Sequence, residues 1–300
     1  MDKKIKSGVY EIYFDEKRGR VFTIGSQSVR VYDTKTMERI AVLRHPNPTC
    51  VYVDQTSGIV AIMSTTTEFA FYSADDYTPL GSFAFTGKRN WSSSDEFYYD
   101  EKETMLYGLA NKNLVEHIYC VSPKTLTYRL IPLTPAKKEN LPEHEMPYTR
   151  HKFLRYENGS FYMIRNFYNI SDVGERVYEA LYGKFEEENG TLVLKEKLYS
   201  TKERWLELLD LELKEEEREE VKQFCAQFVG KDAFTCYPYL KFYRSDRGLF
   251  LIIEKVLYHY SNGIIMEEYG SRFFSDYAEF EGRRYFGDWE FLHVQDIPKE

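Results

Sequence analysis

Cysteine is scarce. The 300-residue chain has four, Cys50, Cys120, Cys225 and Cys236, and no C-x-x-C pair. That argues against a disulfide framework or a zinc ribbon, and the sparse spacing suits free thiols in a reducing compartment. Glycine (17) and proline (10) are too few for a low-complexity, disordered chain. Long apolar runs are missing. The longest, at residues 59–63 and 249–253, are five residues, against the ~20 that a membrane-spanning helix needs. An excess of basic charge is missing too, since 40 Lys and Arg against 48 Asp and Glu leave −8. Such a chain lacks the positive field behind non-specific nucleic-acid binding, although a local basic patch stays open. The first residues, MDKKIKSGVYEIYFD, show no apolar segment of a secretory signal. A soluble, cytoplasmic protein is expected, with neither nucleic acid nor membrane among its partners.

Recognisable chemistry is absent as well. No G-x-S-x-G, P-loop or G-x-G-x-x-G occurs. The six histidines form no H-x-H or H-E-x-x-H pattern. HEMPYTRH sets His144 and His151 seven apart in an expected loop, a poor start for a metal site that generally needs three or four ligands. No cofactor and no metal are expected, and an enzyme is not the favoured reading.

Aromatic residues are what the chain has in quantity: 17%, with 26 Tyr and 21 Phe. These side chains pack well on a pleated surface and favour strands. They fall in a repeating pattern. VYEIYFDEKRGRVFTIG reads strand, turn, strand, with Asp15 four residues before Gly19. SVRVYDTKTMERIAVL continues with a strand, a polar turn at Asp33-Thr34-Lys35-Thr36, and another strand. The same order returns with Asp54 and Gly58, and again with Asp100 and Thr104, at Asp-to-Asp spacings of 39 and 46. Val121-Ser122-Pro123-Lys124-Thr125 answers the turn at Asp33. Periods of ~40–50 residues with four short strands each mark a β-propeller. Further on, Asn158-Gly159 and Asn189-Gly190 sit between apolar runs, the strongest short hairpin signal. Turns at Asp246-Arg247-Gly248 and Ser261-Asn262-Gly263 outline a fifth unit. DYAEFEGRRYFGDWEFLHVQD starts a sixth with only three strands. The N-terminal DKKIKS can supply the fourth by pairing beside residues 291–294, which would remove an open edge.

Val29-Arg30-Val31-Tyr32-Asp33-Thr34-Lys35-Thr36 and the Asp-to-Gly turns resemble β-propeller repeat families, especially the YVTN-like and WD-repeat kinds, over roughly residues 8–133. The Gly-His and Trp-Asp dipeptides of WD repeats do not occur. The resemblance implies a propeller scaffold, a fold that hosts many unrelated functions. The expected structure is therefore an all-β, six-bladed β-propeller closed by its N-terminal strand, one domain over residues 1–300.

Residues 201–233 break the strand pattern. Ser200 and Thr201 are good N-caps. Trp205, Leu208, Leu209 and Glu212, then Val221, Phe224, Cys225 and Phe228, follow helical spacing, with Gly230 as a stop. One or two helices are expected, laying their apolar stripe on the propeller. The acidic run Glu215-Glu216-Glu217-Arg218-Glu219-Glu220 reads as their solvated face.

In a blade with strands A-B-C-D, the A–B and C–D turns share one end, and the B–C and D–A connections share the other. The first set is uniformly tight. The long connections, 134–151, 166–176 and 200–235, all fall in the second, and long connections tend to carry function. Candidate binding residues at that end are Arg44, His45, Lys88, Arg89, Trp91, His151, Asn166, Tyr168, Asp288 and Trp289, with His144 and Arg150 nearby. For Trp91 and Trp289 the competing reading is packing between blades. Asp15, Asp54 and Asp100 lie at the opposite end and read as turn formers. The favoured function is a non-enzymatic scaffold that binds a protein partner on the loop-rich face. The alternative is a carbohydrate-binding module or hydrolase with its site at the channel mouth.

Overall fold

The computed structural model describes residues 2–86, 91–113, 115–133, 149–170, 176–201, 213–227, 240–253, 255–261, 264–267 and 274–298. The protein is a six-bladed β-propeller: six four-stranded sheets in which neighbours in sequence lie side by side. Blade 1 is β2 (Glu11–Asp15), β3 (Arg20–Ile24), β4 (Ser28–Asp33) and β5 (Arg39–Arg44). Blade 2 is β6 (Pro48–Asp54), β7 (Ile59–Ser64), β8 (Glu68–Ser73) and β9 (Pro79–Ala84). Blade 3 is β10 (Trp91–Asp100), β11 (Met105–Lys112), β12 (Val115–Ser122) and β13 (Thr127–Pro132). Blade 4 is β14 (Thr149–Glu157), β15 (Ser160–Ile170), β16 (Arg176–Glu188) and β17 (Thr191–Thr201). Blade 5 is β18 (Leu240–Ser245), β19 (Gly248–Ile253), β20 (Val256–Ser261) and β21 (Ile264–Glu267). Blade 6 is β22 (Asp276–Phe280), β23 (Arg283–Gly287) and β24 (Trp289–Asp296), completed by β1 (Lys3–Val9) from the N-terminus. The register of that last pairing is Lys3 to Val294, Lys4 to His293, Ile5 to Leu292 and Lys6 to Phe291, as the N-terminal closure requires. The contacts group the chain into two compact units, Met1–Ile62 with Ser73–Thr78 and Glu212–Glu300, and Met63–Tyr72 with Pro79–Leu211.

Turn chemistry accounts for the regular end. Gly19 and Gly58 hold φ of 60° and 67°, and Thr104 takes the equivalent place at 52°. Asp54 accepts the Thr56 N–H, and Asp100 those of Lys102 and Glu103. Both are side-chain turn bonds, the role read from sequence. Asn158-Gly159, Asn189-Gly190 and Glu281-Gly282 each have two positive φ angles, the type I′ geometry that matches strand twist.

The C–D turns of blades 1 to 3 share an unforeseen device. Met37, Tyr77 and Leu126 adopt φ of 57°, 60° and 55°. Each donates its N–H to the carbonyl four residues back, at 2.8–3.0 Å. None is Gly, Asn or Asp, so each carries a steric cost. Each offsets it by reaching the preceding blade. Met37 packs in a cluster with Tyr285 and Val294, Tyr77 meets Phe22 edge-on at 6.2 Å, and the Leu126 Cδ1 fills the space beside Gly81.

Asp33 anchors the first of these turns. The Thr36 N–H lowers its carboxyl below the ordinary value; burial opposes this, and the Lys35 N–H and Arg20 add to the lowering. A lowered folded-state value gives stability that is present above the unfolded value of ~4 and is lost as pH falls through the folded one. Asp33→Asn should therefore lower Tm at pH 7, and the gap to the unaltered protein should narrow as pH falls below ~4. A constant gap from pH 7 to pH 3 in thermal melts would refute the anchor.

The helical insertion is shorter than its sequence pattern within the described residues. A 3₁₀ turn, Glu215–Glu217, leads into one helix, α1 (Arg218–Ala226). Trp205, Leu208, Leu209, Glu212, Phe228 and Gly230 lie outside the described residues. Val221 and Cys225 are buried, and Phe224 meets Tyr258 of β20 edge-on at 4.9 Å, so the stripe does lie on the propeller. The acidic run is corrected at one position. Glu217 is only 3% exposed and pairs with Arg244 of β18 at 2.7 Å. An apolar-stripe reading cannot foresee a buried acid whose partner comes from another element.

Candidate functional site

The sequence-derived candidates separate by burial. Trp91 opens β10 but is only 6% exposed, packed against Phe85 and His117 at 5.5 and 5.0 Å, with its indole N–H donated to the Thr86 carbonyl. Packing accounts for it. His45 is buried, its backbone N–H donating to the Gln27 carbonyl. His151 is buried against Phe185 and paired through Nδ1 with the Glu116 carboxylate. Arg44 is exposed at the end of β5. Lys88, Arg89 and His144 lie outside the described residues. Asn166 and Tyr168 are not in a loop: β15 runs on to Ile170, which pairs with Arg176, and these two residues pair with Ala180 and Tyr178. Their backbone extends the hairpin because Phe, Tyr and Ile interleave with the two Asn residues, whatever the polar composition suggests. Arg150 likewise falls within β14.

Asp288 and Trp289 are the two candidates that the fold brings together, at the B–C turn of blade 6. Gly287 pairs with Leu292 and the Asp288 N–H donates to the Phe291 carbonyl at 3.2 Å, so Trp289 and Glu290 form the two-residue loop, and Trp289 pays for it with φ of 72°, rare and costly for a bulky aromatic. Asp288 holds the turn. Its Oδ1 accepts the N–H groups of Phe291 at 2.8 Å and Glu290 at 3.3 Å. Its Oδ2 lies 2.6 Å from His293 Nε2. Burial raises the Asp288 carboxyl, but His293 and the two N–H groups outweigh it and leave the value lowered. The ionised carboxylate can only accept, so Nε2 carries the proton.

Strand alternation then builds a cleft. Trp289, Phe291, His293 and Gln295 occupy one face of β24, while Leu292 and Val294 on the other are buried toward blade 1. The His293 ring stacks on Phe286 at 4.7 Å with 3° between planes, and Phe286 meets Phe274 at 5.5 Å. Lys4, opposite His293 on β1, lays its ammonium over the Phe291 ring at 3.9 Å. The cleft measures about 630 Å³, and Asp2, Lys3 and Glu290 complete its rim. Trp289 stands at its mouth, 39% exposed, edge-on to Tyr10 at 5.0 Å. No Ser, Thr or Cys is among the described lining residues, so the Asp288–His293 pair has no hydroxyl or thiol to activate there. Elsewhere, burial pushes the Cys120 thiol up to about 11 and Cys225 to about 12, values that keep both protonated at neutral pH.

His293, Phe291 and Lys4 escaped the sequence reading. The signal was there in WEFLHVQ, whose period-two alternation places Trp289, Phe291 and His293 on one face. Lys4 follows once β1 is registered against β24.

No protein-family model matches the chain, and no curated protein matches it in sequence. Among solved structures, the chain is similar to the β-propeller domain of Cps50 (Swd1) from Myceliophteria thermophila. The TM-score is 0.51 and identity 10%, over 99% of this chain and 100% of that one. At that identity the likeness is one of fold. No helix among the described residues is long and apolar enough to cross a membrane.

Proposed function

We propose that this propeller is a non-enzymatic interaction scaffold, and that its protein partner docks at the loop end of blade 6 in the cleft headed by Trp289. The observation that carries this is Trp289 itself: a large aromatic left 39% exposed in a left-handed conformation that a glycine would adopt without strain. Exposed Trp on a rigid strand end is a frequent anchor in protein interfaces, giving much contact area for few rotatable bonds. The lining supports binding, because Phe274, Phe286, Trp289 and Phe291 give it an aromatic floor and the Asp288 carboxylate is already taken by His293 and two backbone N–H groups. Arg44 and the strand end carrying Asn166 and Tyr168 are further candidate contacts on their own blades.

Trp289→Gly separates binding from folding. Glycine relieves the backbone strain but gives up the packing of an indole that is only 39% exposed, so the variant should stay folded with a Tm lowered by no more than about 10 °C. Retention of partner by the immobilised variant should fall at least about tenfold, as for loss of an anchoring aromatic. Retention of the same proteins by the folded variant and the unaltered chain would remove Trp289 from the site.

A further inference from the structure

We infer that the blade 6 cleft receives an extended, lysine- or arginine-bearing segment of its partner, with one cationic side chain seated on the Trp289–Tyr10 pair. This rests on the docking reading above and names the chemistry of the occupant. The two rings stand 65° apart at 5.0 Å and are both part exposed, Tyr10 at 36%. They offer two electron-rich surfaces set at an angle, the geometry that attracts a cation. The indole already takes one: Lys255, at the B–C turn of blade 5, places its ammonium 5.7 Å from the Trp289 ring centroid. Lys255 is itself held at φ of 72°, so two bulky residues at strained turns meet at this point.

Charge commitments in the cleft point the same way. Its lysines are held within the fold: Lys3 donates to the Thr36 carbonyl and Lys4 rests on Phe291, while the His293 Nε2–H is taken by Asp288. Asp288 in turn is used by His293 and by two backbone N–H groups. Two rim carboxylates remain, Asp2 and Glu290, both exposed and neither with an ion-pair partner among the described residues. A basic ligand finds Asp2 and Glu290 open, whereas an acidic one would have to draw Lys3 and Lys4 from their contacts with the Thr36 carbonyl and the Phe291 ring. The net charge of −8 acts in the same direction over longer range. Shape fits as well: Trp289, Phe291, His293 and Gln295 recur at every second residue, the spacing of side chains along an extended peptide.

The test uses the full chain, ¹⁵N-labelled at tryptophan, and follows the indole N–H signal that Trp289→Gly removes. The probes are acetylated heptapeptides in which Lys, Arg or Glu alternates with Ala. The Lys and Arg peptides should shift that signal saturably and the Glu peptide should not. The double substitution Asp2→Asn with Glu290→Gln should weaken binding about fivefold at low salt, within the range for two exposed ion pairs. Lys255→Gln, which removes the internal competitor, should tighten it. Equal shifts from the Glu peptide, no shift from the Lys and Arg peptides, or an affinity unmoved by the double substitution would overturn the inference. If the peptides fail while Trp289→Gly still loses its partner, the docking site stands and only the basic occupant falls. If Trp289→Gly keeps its partner, the site itself falls.

Discussion

Removing residues 1–7 should destabilise the protein by on the order of 5 kcal/mol and lower its Tm by about 10 °C or more. Four register pairs of the β1–β24 ladder go with those residues, at roughly 1 kcal/mol for each hydrogen bond. Ile5 leaves the cluster of Val9, Tyr285, Leu292 and Val294, uncovering side chains that are otherwise buried, at ~1–2 kcal/mol. Ser7 Oγ and Thr23 Oγ1 share a buried hydrogen bond of 2.8 Å. Without it the Thr23 hydroxyl and the Arg30 guanidinium, which bonds the same Ser7 Oγ at 3.2 Å, both lose a partner, at ~1–3 kcal/mol. The deletion also exposes the edge of β24, a template for association. Thermal unfolding measures the effect, and light scattering should show aggregation. A peptide of residues 1–7 added at about 1 mM should recover part of the lost Tm, since it binds the folded state only. A Tm unchanged by the deletion would mean that β1 adds nothing to the last blade.

Gly108→Ala should cost about 3 kcal/mol, a large penalty for one methyl group. Gly108 lies in β11 directly opposite Tyr119 of β12. The added methyl would overlap the Tyr119 hydroxyl and Cζ and stand 2.9 Å from its Cε1. The ring has nowhere to go: it is fully buried, with Phe69 at 5.5 Å and Phe85 at 5.7 Å. Relief requires moving that aromatic cluster or parting two strands. The expected Tm loss is about 6–10 °C. Tyr119→Leu alone should also destabilise, by leaving a cavity. The two together should cost at least about 1 kcal/mol less than their sum, because the smaller side chain makes room for the methyl. Strict additivity in that cycle would show that the two residues do not compete for the same space.

The contrast between these sites shows what was legible. The N-terminal closure could be read from the chain because it needs only a three-strand remainder at one end and an alternating strand at the other. The Gly108–Tyr119 fit could not, since nothing near Gly108 in sequence says that a tyrosine ring covers it. The same holds at the candidate site. Trp91 and Trp289 read alike, each beside a loop at the same end of a blade. Phe85 and His117 cover the first, while the second sits in a tight two-residue loop in a left-handed conformation that leaves it part exposed.

The sequence by itself determined the blades: their number, the Asp, Asn and Gly turns of the regular end, and that the last blade borrows its fourth strand. Those features rest on backbone dihedrals and on Asp, Asn and Gly side chains acting within four or five residues, so a short window contains their cause. Tertiary structure alone decided which side chains are covered and which are offered. It buried Glu217 against Arg244, docked Met37, Tyr77 and Leu126 on the blades before them, and set Tyr10 beside Trp289 from the far end of the chain. Burial and charge pairing depend on neighbours that only folding brings near, and the cleft on blade 6 is made of such neighbours.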